Sequence, residues 1–500
     1  MKRRICLFVV WLLLSLTVSI PIARAAEFST FSDLNGKTIA MLAGAAPLEK
    51  LINSKVPEVG EFQYFATVPD MELALRSGKI DAFLLNSAIS TLLSNKNKDL
   101  TVFPENLGEA PFGFAFAKGS PERDEWQKAF DSIGKDEVQR TWEKWTGADD
   151  SVKTIPEQDW PGKNGEVRVA SCDTMEPVAY AGEDGQLIGF DIDIILQIAK
   201  KLDKHVTFTG MDFSAVMPEV QSGKSDIACG SILITKERSE TFDFVEYYPG
   251  ASQLMIREEA VETGDEGFFQ GLLNSFDRTF IRDSRFKTVL AGLGLTIAMS
   301  LFAGFFGYLI GFGLVFLRRK NKLVFNGFIH GYSAIVMGVP AVVILLVLYY
   351  IVFGAIDLPA VLVAGIGFSL ISGVRIYTSV WSAVAAVDIG QQEAGYALGY
   401  PDGLAFRRII LPQARQVYMP LIRTQFVMLV KETSIAGYIT VVDLTRAGDL
   451  IRSRTMEAFF PLIAIAIIYF LLTWLLGKAI DVFNRRLTAK SRNRKIKGVD

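Results

Sequence analysis

Four apolar runs, 289–317, 324–353, 358–380 and 459–476, crowd the second half of this 500-residue chain. Each is long enough to cross a bilayer as a helix, since about 17–25 apolar residues span the hydrocarbon core. Lipid offers the backbone no hydrogen-bond partners, so runs of this length commit that half to an α-helical membrane domain. A fifth stretch, 418–442, is apolar apart from Arg423, Lys431 and Glu432, which brings the expected spans to five. Charges at that depth are tolerated where they face a bundle interior or an aqueous path, so Lys431 and Glu432 are candidates for lining one. The composition agrees: 50% of residues are hydrophobic and only 21% charged, more apolar than a soluble protein of this size usually is. A net charge of −2 sets aside a strongly basic nucleic-acid binder.

The chain begins with Lys2, Arg3 and Arg4, an apolar run over 5–22, and Ala23-Arg24-Ala25. Residues 1–25 therefore read as a signal peptide or, given the long apolar run, as an uncleaved anchor. On either reading the following segment is exported. From Glu27 to about Ala260, short β-like runs alternate with helical ones, the pattern of an α/β domain. A strand is expected over 37–42. One amphipathic helix, opened by Ser120 and Pro121, carries Trp126, Ala129, Phe130 and Ile133 on one face; another, over 193–202, buries Ile195, Ile198, Ala199 and Leu202. Segments 75–82 and 220–227 echo each other through Ser77-Gly78-Lys79 and Ser222-Gly223-Lys224, each Gly closing a helix before a strand. This predicts two lobes around a cleft, 27–147 and 166–257, joined by a linker over 148–165 that is rich in Asp, Pro, Gly and Lys. Cys172 and Cys229 each end an apolar run; a disulfide between neighbouring strands and two buried thiols fit equally well.

Over 258–286, Phe268, Phe269, Leu272, Leu273, Phe276 and Phe280 recur at helical spacing against Asn274, Asp277 and Arg278. The segment reads as an amphipathic helix at the membrane interface or one packed on protein. An exported first half sends the first span inward, placing 318–322, 382–415 and the basic tail 486–500 in the cytoplasm. Those segments hold Arg318, Arg319, Lys320, Lys322, Arg407, Arg408 and Arg415, as the positive-inside rule asks. The exception is the outer loop with Arg446, Arg452 and Arg454, offset by Asp443, Asp449 and Glu457.

The longest inner loop contains Gly390-Gln391-Gln392-Glu393-Ala394-Gly395-Tyr396-Ala397-Leu398-Gly399, followed by Ile410-Leu411-Pro412. A helix–turn–helix that moves a membrane bundle as a rigid lever needs a tight turn, which Gly399 allows, and a defined restart, which Pro412 gives. The segment resembles the EAA loop, E-A-A-x-x-x-G then I-x-L-P, of ABC importer permeases, with Gly395 replacing the usual second alanine. Together with Gly390-Gln391, 406–414 and 429–434, it makes residues 287–485 look like a permease for polar amino acids. The resemblance implies that Glu393, Ala394, Gly399 and Pro412 couple the bundle to a separate cytoplasmic ATP-binding subunit. It further implies that ATP is used by that partner while this chain binds no cofactor, and that two permeases pair, expected as a homodimer.

In the exported half, Gly189-Phe190-Asp191-Ile192-Asp193, Thr235-Lys236-Glu237-Arg238 and Phe242-Asp243-Phe244 with Tyr247-Tyr248 resemble motifs of type 3 solute-binding proteins. The resemblance implies that Arg238 grips a ligand carboxylate, a task suited to a bidentate guanidinium, with Thr235 and Ser231 beside it. Gly44 and Ala45 would offer backbone amides from the opposite lobe. Asn86 stands where an Asp would hold an α-amino group, and Phe213 and Tyr180 are apolar walls or core residues. The lobes come in reverse order, 31–147 resembling lobe two and 166–257 lobe one. A circular permutation, a tandem pair that lost two half-domains, and lobes exchanged between subunits would all read this way. Leu233, Ala46, Asn86, Met175 and Val178 replace the family's hydroxyl, carboxylate and aromatic positions. Those losses weaken the case for an ordinary zwitterionic amino acid and leave an anionic or less polar solute, or a degenerate cleft.

The expected fold class is therefore an α/β bilobed, periplasmic-binding-protein-like domain followed by an all-α transmembrane permease domain in the bacterial inner membrane. The implied function is ATP-driven import of a small polar solute, with the fused domain delivering the solute or acting as a regulatory sensor. A ligand-gated channel would insert its pore between the lobes and has no use for an EAA loop. Catalysis is not indicated: His205 and His330 stand in no metal-ligand or triad context, and no phosphate-binding G-x-x-x-x-G-K-[ST] occurs. Expected partners are the ATP-binding subunit, a second permease, the solute and the lipid bilayer, with no nucleic acid and no metal.

Overall fold

The computed structural model describes residues 28–43, 45, 48–97, 99–147, 149–182, 185–257, 273–354, 356, 358–455 and 460–496. The signal-peptide segment and Phe268, Phe269 and Leu272 lie outside the described residues. The chain divides into two compact units, Met1–Ser284 with Asp449–Pro461, and Arg285–Gly448 with Leu462–Asp500.

The first unit is built on a mixed sheet. Its strands are β1 (Thr38–Leu42), β2 (Glu61–Phe65), β3 (Ala82–Asn86), β4 (Leu100–Val102), β5 (Glu109–Ala117) and β6 (Glu166–Cys172). After the short β7 (Thr174–Met175), β8 (Ala179–Ala181) and β9 (Leu187–Ile188), which form a sheet of their own, come β10 (His205–Met211), β11 (Ile227–Cys229) and β12 (Phe242–Arg257). The strand order is β10-β6-β11-β5-β12-β3-β1-β2, with β4 beside β12. Central β3 is buried at every position, as a strand covered on both faces must be, whereas edge strand β2 has none buried. The first part of the long β12 pairs antiparallel with β5, and its last residues pair with β3 and β4.

The buried side chains of this unit gather in two cores. One core gathers Leu34, Ile39, Met41, Ile52, Met71 and Phe83. The other gathers Phe114, Phe116, Trp126, Trp145, Phe190 and Ile195. The lobe boundary therefore differs from the expected 147. Helices α1 (Glu49–Asn53), α2 (Val68–Arg76) and α3 (Ser87–Lys96) accompany the first lobe. However, α4 (Glu122–Asp131) and α5 (Lys135–Thr146) bury Trp126 and Trp145 in the second core. The cause lies in α6 (Phe190–Leu202), where the Asp193 carboxylate accepts from Trp145 Nε1 at 2.9 Å, Lys144 Nζ at 2.8 Å and Gln197 Nε2 at 2.9 Å. Pro121 rather than Ser120 caps α4.

The linker is strapped down rather than loose. Trp160 Nε1 donates to Lys204 O at 2.7 Å, and Gln158 exchanges two hydrogen bonds with the Val206 backbone. Cys172 and Cys229, on adjacent parallel strands, are buried free thiols. Two further short helices, α7 (Phe213–Gln221) and α8 (Lys236–Thr241), flank the cleft residues described below.

The second unit is helical. Among the described residues, three helices are long and apolar enough to cross a membrane: α9 (Phe286–Arg319), α12 (Ala360–Ala385) and, over Phe460–Val482, α17 (Phe460–Ile496). The pair formed by α10 (Leu323–Gly338) and Ala341–Val352, the latter beginning as α11 (Ala341–Leu346), is together as long and apolar but bent by 111°, the form of a broken span or a re-entrant loop. Sequence alone made 324–353 one straight span. The break falls where Val339 is extended ahead of Pro340, which has no N–H to donate and disfavours helix at the residue before it. The expected span over 418–442 is instead α15 (Leu411–Glu432) followed by a 3₁₀ turn over Thr433–Ile439. Two shorter helices are α13 (Ile389–Ala397) and α14 (Asp402–Ala405), while α16 (Leu444–Thr455) begins in this unit and passes into the first at Asp449.

Helices α9 and α12 meet almost backbone to backbone. A Cβ on Gly307 would fall 2.7 Å from Ser372 Cβ, one on Gly311 2.7 Å from Ile376 Cγ2, and one on Gly373 2.5 Å from Ile310 Cγ2. Small residues permit that approach in lipid, where hydrophobic driving force between helices is lacking. Gly373→Leu should therefore push the pair apart and destabilise it by about 1–3 kcal/mol. In thermal unfolding of the detergent-purified chain its midpoint should drop, whereas Gly313→Leu, at an open position, should leave the midpoint unchanged.

Candidate functional site

The loop over 388–413 folds as a short helix, a turn and the start of a second helix. The Asp388 carboxylate caps α13 by accepting from Gly390 N at 2.7 Å. Gly399 turns the chain at φ +79°, in the left-handed region that favours glycine. Gly395 is buried, and a Cβ there would lie 2.9 Å from Ile409 Cδ1 and 3.2 Å from Ala405 Cβ. Its departure from alanine thus lets α13 lie closer to the turn that follows. Glu393 and Ala394 are exposed, as are Ile389 at 73% and Leu398 at 74%, so α13 presents an outward face of mixed character. Pro412 sits in the first turn of α15, where its missing N–H costs nothing.

The inward side of the lever is tied by polar contacts. Gln392 Nε2 donates to Tyr396 Oη at 2.5 Å, and Tyr396 Oη donates to Asp402 Oδ1 at 2.8 Å. Asp402 pairs with Arg319 at the end of α9, and the Arg319 guanidinium stands 4.6 Å from the Phe406 ring. Gln413 on α15 donates to Gln391 at 2.9 Å. These contacts tie α13 to both α9 and α15. Sequence reasoning missed Arg319 and Asp402, having counted Arg319 only as a topology-setting charge. Behind α13 lies a cavity of about 460 Å³ lined in part by Arg318, Trp381, Gln392 and Asp402.

Of the two charges expected to line a path through the bundle, Lys431 is exposed, whereas Glu432 pairs with Arg375 of α12 at 2.5 Å. Arg375 was missed because it lies within an apolar run counted as a span. Arg423 reaches Asp481 at 2.9 Å.

In the first unit, a cleft of about 50 Å³ is lined by Ala45, Asn86, Phe213, Ser231 and Arg238, all expected ligand residues, among others. Arg238 Nη1 donates to Leu233 O at 2.7 Å, and its guanidinium lies 6.0 Å from the Phe213 ring. Burial lowers its pKa to about 10. Asn86 Nδ2 donates to Ser231 Oγ at 3.1 Å, joining the two lobes across the cleft.

Three expected roles change. Thr235 does not line the cleft; its hydroxyl caps α8 by accepting from Arg238 N at 3.2 Å, which positions the arginine. Tyr180 sits on β8 against Trp145, its ring 6.3 Å away, and belongs to the core. The Ala45 N–H is spent inside a turn on Leu42 O at 2.9 Å, so only its side chain faces the cleft. Gly44 lies outside the described residues.

The acidic motif at the start of α6 is scaffold. Gly189 adopts φ +130°, and a Cβ there would fall 2.4 Å from Val178 O. Asp191 is fully buried, and its Oδ2 accepts from Gly230 N at 2.8 Å, Ser231 N at 3.2 Å and Tyr247 Oη at 2.9 Å. These bonds hold Ser231 at φ +62°, facing Asn86. Arg452 is similarly structural: only 3% exposed, it pairs within its unit with Asp70 at 2.7 Å and Asp449 at 3.2 Å.

Residues 303–489 match the family described as the binding-protein-dependent transport system inner membrane component. The relative named "Probable amino-acid permease protein YxeN", from Bacillus subtilis, is 32% identical over 221 residues, covering 43% of this chain and 98% of the relative. The chain belongs to this permease family. The permease is thus a multi-pass inner-membrane transport subunit. The L-cystine transport system permease protein TcyB of Bacillus subtilis is 29% identical over 210 residues, covering 41% of this permease and 89% of TcyB. A solved amino acid ABC transporter with histidines is 28% identical, covering 43% of this permease and 98% of that chain, with a TM-score of 0.39.

Residues 167–389 of the permease match the bacterial extracellular solute-binding proteins, family 3. That match starts at β6, so β1–β5 precede it and only its part up to Arg257 coincides with the mixed sheet.

Burial of Asp191 outweighs its three hydrogen bonds and raises its pKa from 3.8 to about 6. The folded state therefore holds this proton more tightly than the unfolded chain, so the stability it contributes is complete below pH 3.8 and lost as pH rises through about 6. In Asp191→Asn the amide oxygen can keep the three donors while the nitrogen takes the place of Oδ1, which has no partner among the described residues. Denaturant unfolding of the purified permease should show a smaller stability difference between pH 5 and pH 8 in this variant, by about 1.4 kcal/mol.

Proposed function

We propose that this permease imports a small solute, with the fused α/β unit delivering it and a separate cytoplasmic subunit hydrolysing ATP. The observation that carries this reading is the built lever: α13 shows Glu393 and Ala394 outward while Asp402 and Gln413 tie it to α9 and α15. Such a device serves no purpose without a moving partner on the side it faces. The basic residues around it favour a cytoplasmic place for that side and a periplasmic one for the α/β unit.

In this mechanism, solute closes the two lobes, as hinge closure does in two-lobed binders generally. ATP-driven closure of the partner then displaces α13 and, through Arg319–Asp402, the inner end of α9. The Arg375–Glu432 pair stands along the path, where two opposite charges greet a polar solute without a net desolvated charge. A permease dimer, expected as a homodimer, would frame that path. This chain would bind no cofactor of its own. Relatives are named for amino-acid and L-cystine transport, which favours an amino acid or a related molecule as the solute.

Glu393→Lys reverses the charge on the exposed face without touching a buried contact. In proteoliposomes with the ATP-binding subunit it should abolish ATP-driven uptake, while solute binding to the purified chain stays at the wild-type level. Uptake at the wild-type rate would remove α13 from the coupling role.

A further inference from the structure

We propose that the cavity behind α13 holds a phosphate group, carried by an anionic lipid.

The cavity, of about 460 Å³, lies where two membrane-crossing helices end. The apolar run of α9 stops at Leu317, and Arg318, Arg319 and Asn321 follow it into the lining. From the last turns of α12 comes Trp381. A residue that closes a hydrocarbon-spanning run stands at the depth of the lipid headgroups, where tryptophan is enriched as an interfacial anchor. Basic pockets between helices at that depth suit lipid phosphates.

The charges of the lining are unevenly engaged. Arg319 pairs with Asp402, which also accepts from Tyr396 Oη at 2.8 Å. Asp388 is committed to its own helix, where Oδ1 accepts from Gly390 N at 2.7 Å. Arg318 is left: among the described residues it pairs with no carboxylate, and its guanidinium lies 5.9 Å from the Trp381 ring. Two neutral donors share the lining with it. Asn321 has its oxygen occupied by Asn326 Nδ2 at 3.1 Å, and its own N–H₂ meets no acceptor among the described residues. The Trp381 indole N–H, which can only donate, likewise has no acceptor among them.

A cation with two unmatched donors calls for a ligand that is negative and offers acceptors alone. A phosphodiester is that group, and a guanidinium fork matches its oxygens bidentately. The volume falls in the range of small-molecule sites, about 300–1,000 Å³, and admits a glycerophosphate headgroup. Val384 and Ile410 add apolar wall against which the first carbons of the acyl chains can pack. Depth decides the source: phosphates at this level are concentrated in the lipid, whereas a free phosphate would have to be drawn from bulk water.

The test uses the full chain, purified in a nonionic detergent without lipid. It is titrated with dihexanoyl phosphatidylglycerol or dihexanoyl phosphatidylcholine at constant ionic strength, and the thermal unfolding midpoint is followed. Phosphatidylglycerol should raise the midpoint saturably, whereas phosphatidylcholine, whose phosphate is masked by its own cation, should not. Arg318→Gln should lose the rise. Lys320→Gln, at an adjacent exposed charge outside the lining, should keep it. Trp381→Phe retains a ring beside Arg318 but removes the indole N–H, and should weaken the apparent affinity severalfold. An equal rise with both lipids overturns the site on the wild-type chain alone, as does a rise that survives Arg318→Gln. Sodium phosphate in place of lipid, against sodium chloride of the same ionic strength, should give no rise. A rise there that Arg318→Gln abolishes upholds the phosphate chemistry and overturns the lipid source.

Discussion

The glycine seam between α9 and α12 sets the geometry of the membrane unit. With Gly307, Gly311 and Gly373 in the crossing, the two backbones stand closer than ordinary side chains would allow. From that fixed pair, α9 carries Arg319 to Asp402, and α12 carries Arg375 to Glu432. Widening the seam by one side chain would displace both charge pairs together. The lever and the polar pair are thus two consequences of one packing decision, made by small residues in an otherwise apolar background.

The binding unit depends on buried carboxylates in a comparable way. Asp193 gathers Trp145, Lys144 and Gln197, which attaches α5 to α6. Asp191 gathers Gly230, Ser231 and Tyr247, which shapes the cleft floor. Two residues apart in one motif, they do two structural jobs: one holds the helices contributed by the early part of the chain, and the other orients a cleft hydroxyl. Neither touches the cleft volume itself. A motif shared with ligand-binding proteins can therefore be a scaffold for the site and not part of it.

Much of this was legible in the sequence, and the misses have physical causes. Long apolar runs and the inner-loop motif announced the helical bundle and the lever because both signals are local. The two lobes were visible through the Ser77-Gly78-Lys79 and Ser222-Gly223-Lys224 echo, since Gly closes a helix the same way wherever it occurs. The bend at Pro340 was overlooked because hydropathy averages across a break. Arg375 and Arg319 were passed over because their partners, Glu432 and Asp402, are distant in sequence. Tyr180 stayed open between wall and core because an aromatic residue reads alike in either, and only its contact with Trp145 decides. The assignment of α4 and α5 to a lobe needed the long-range bond from Trp145 to Asp193, which no periodicity encodes.

The central claim is that one chain both captures the solute and carries it across. It is tested most directly by ATP-dependent accumulation of labelled solute in proteoliposomes containing this permease and its ATP-binding subunit, with no soluble binding protein added. The account predicts accumulation under those conditions. Accumulation that begins only after a separate binding protein is supplied would contradict it and make the fused unit a sensor.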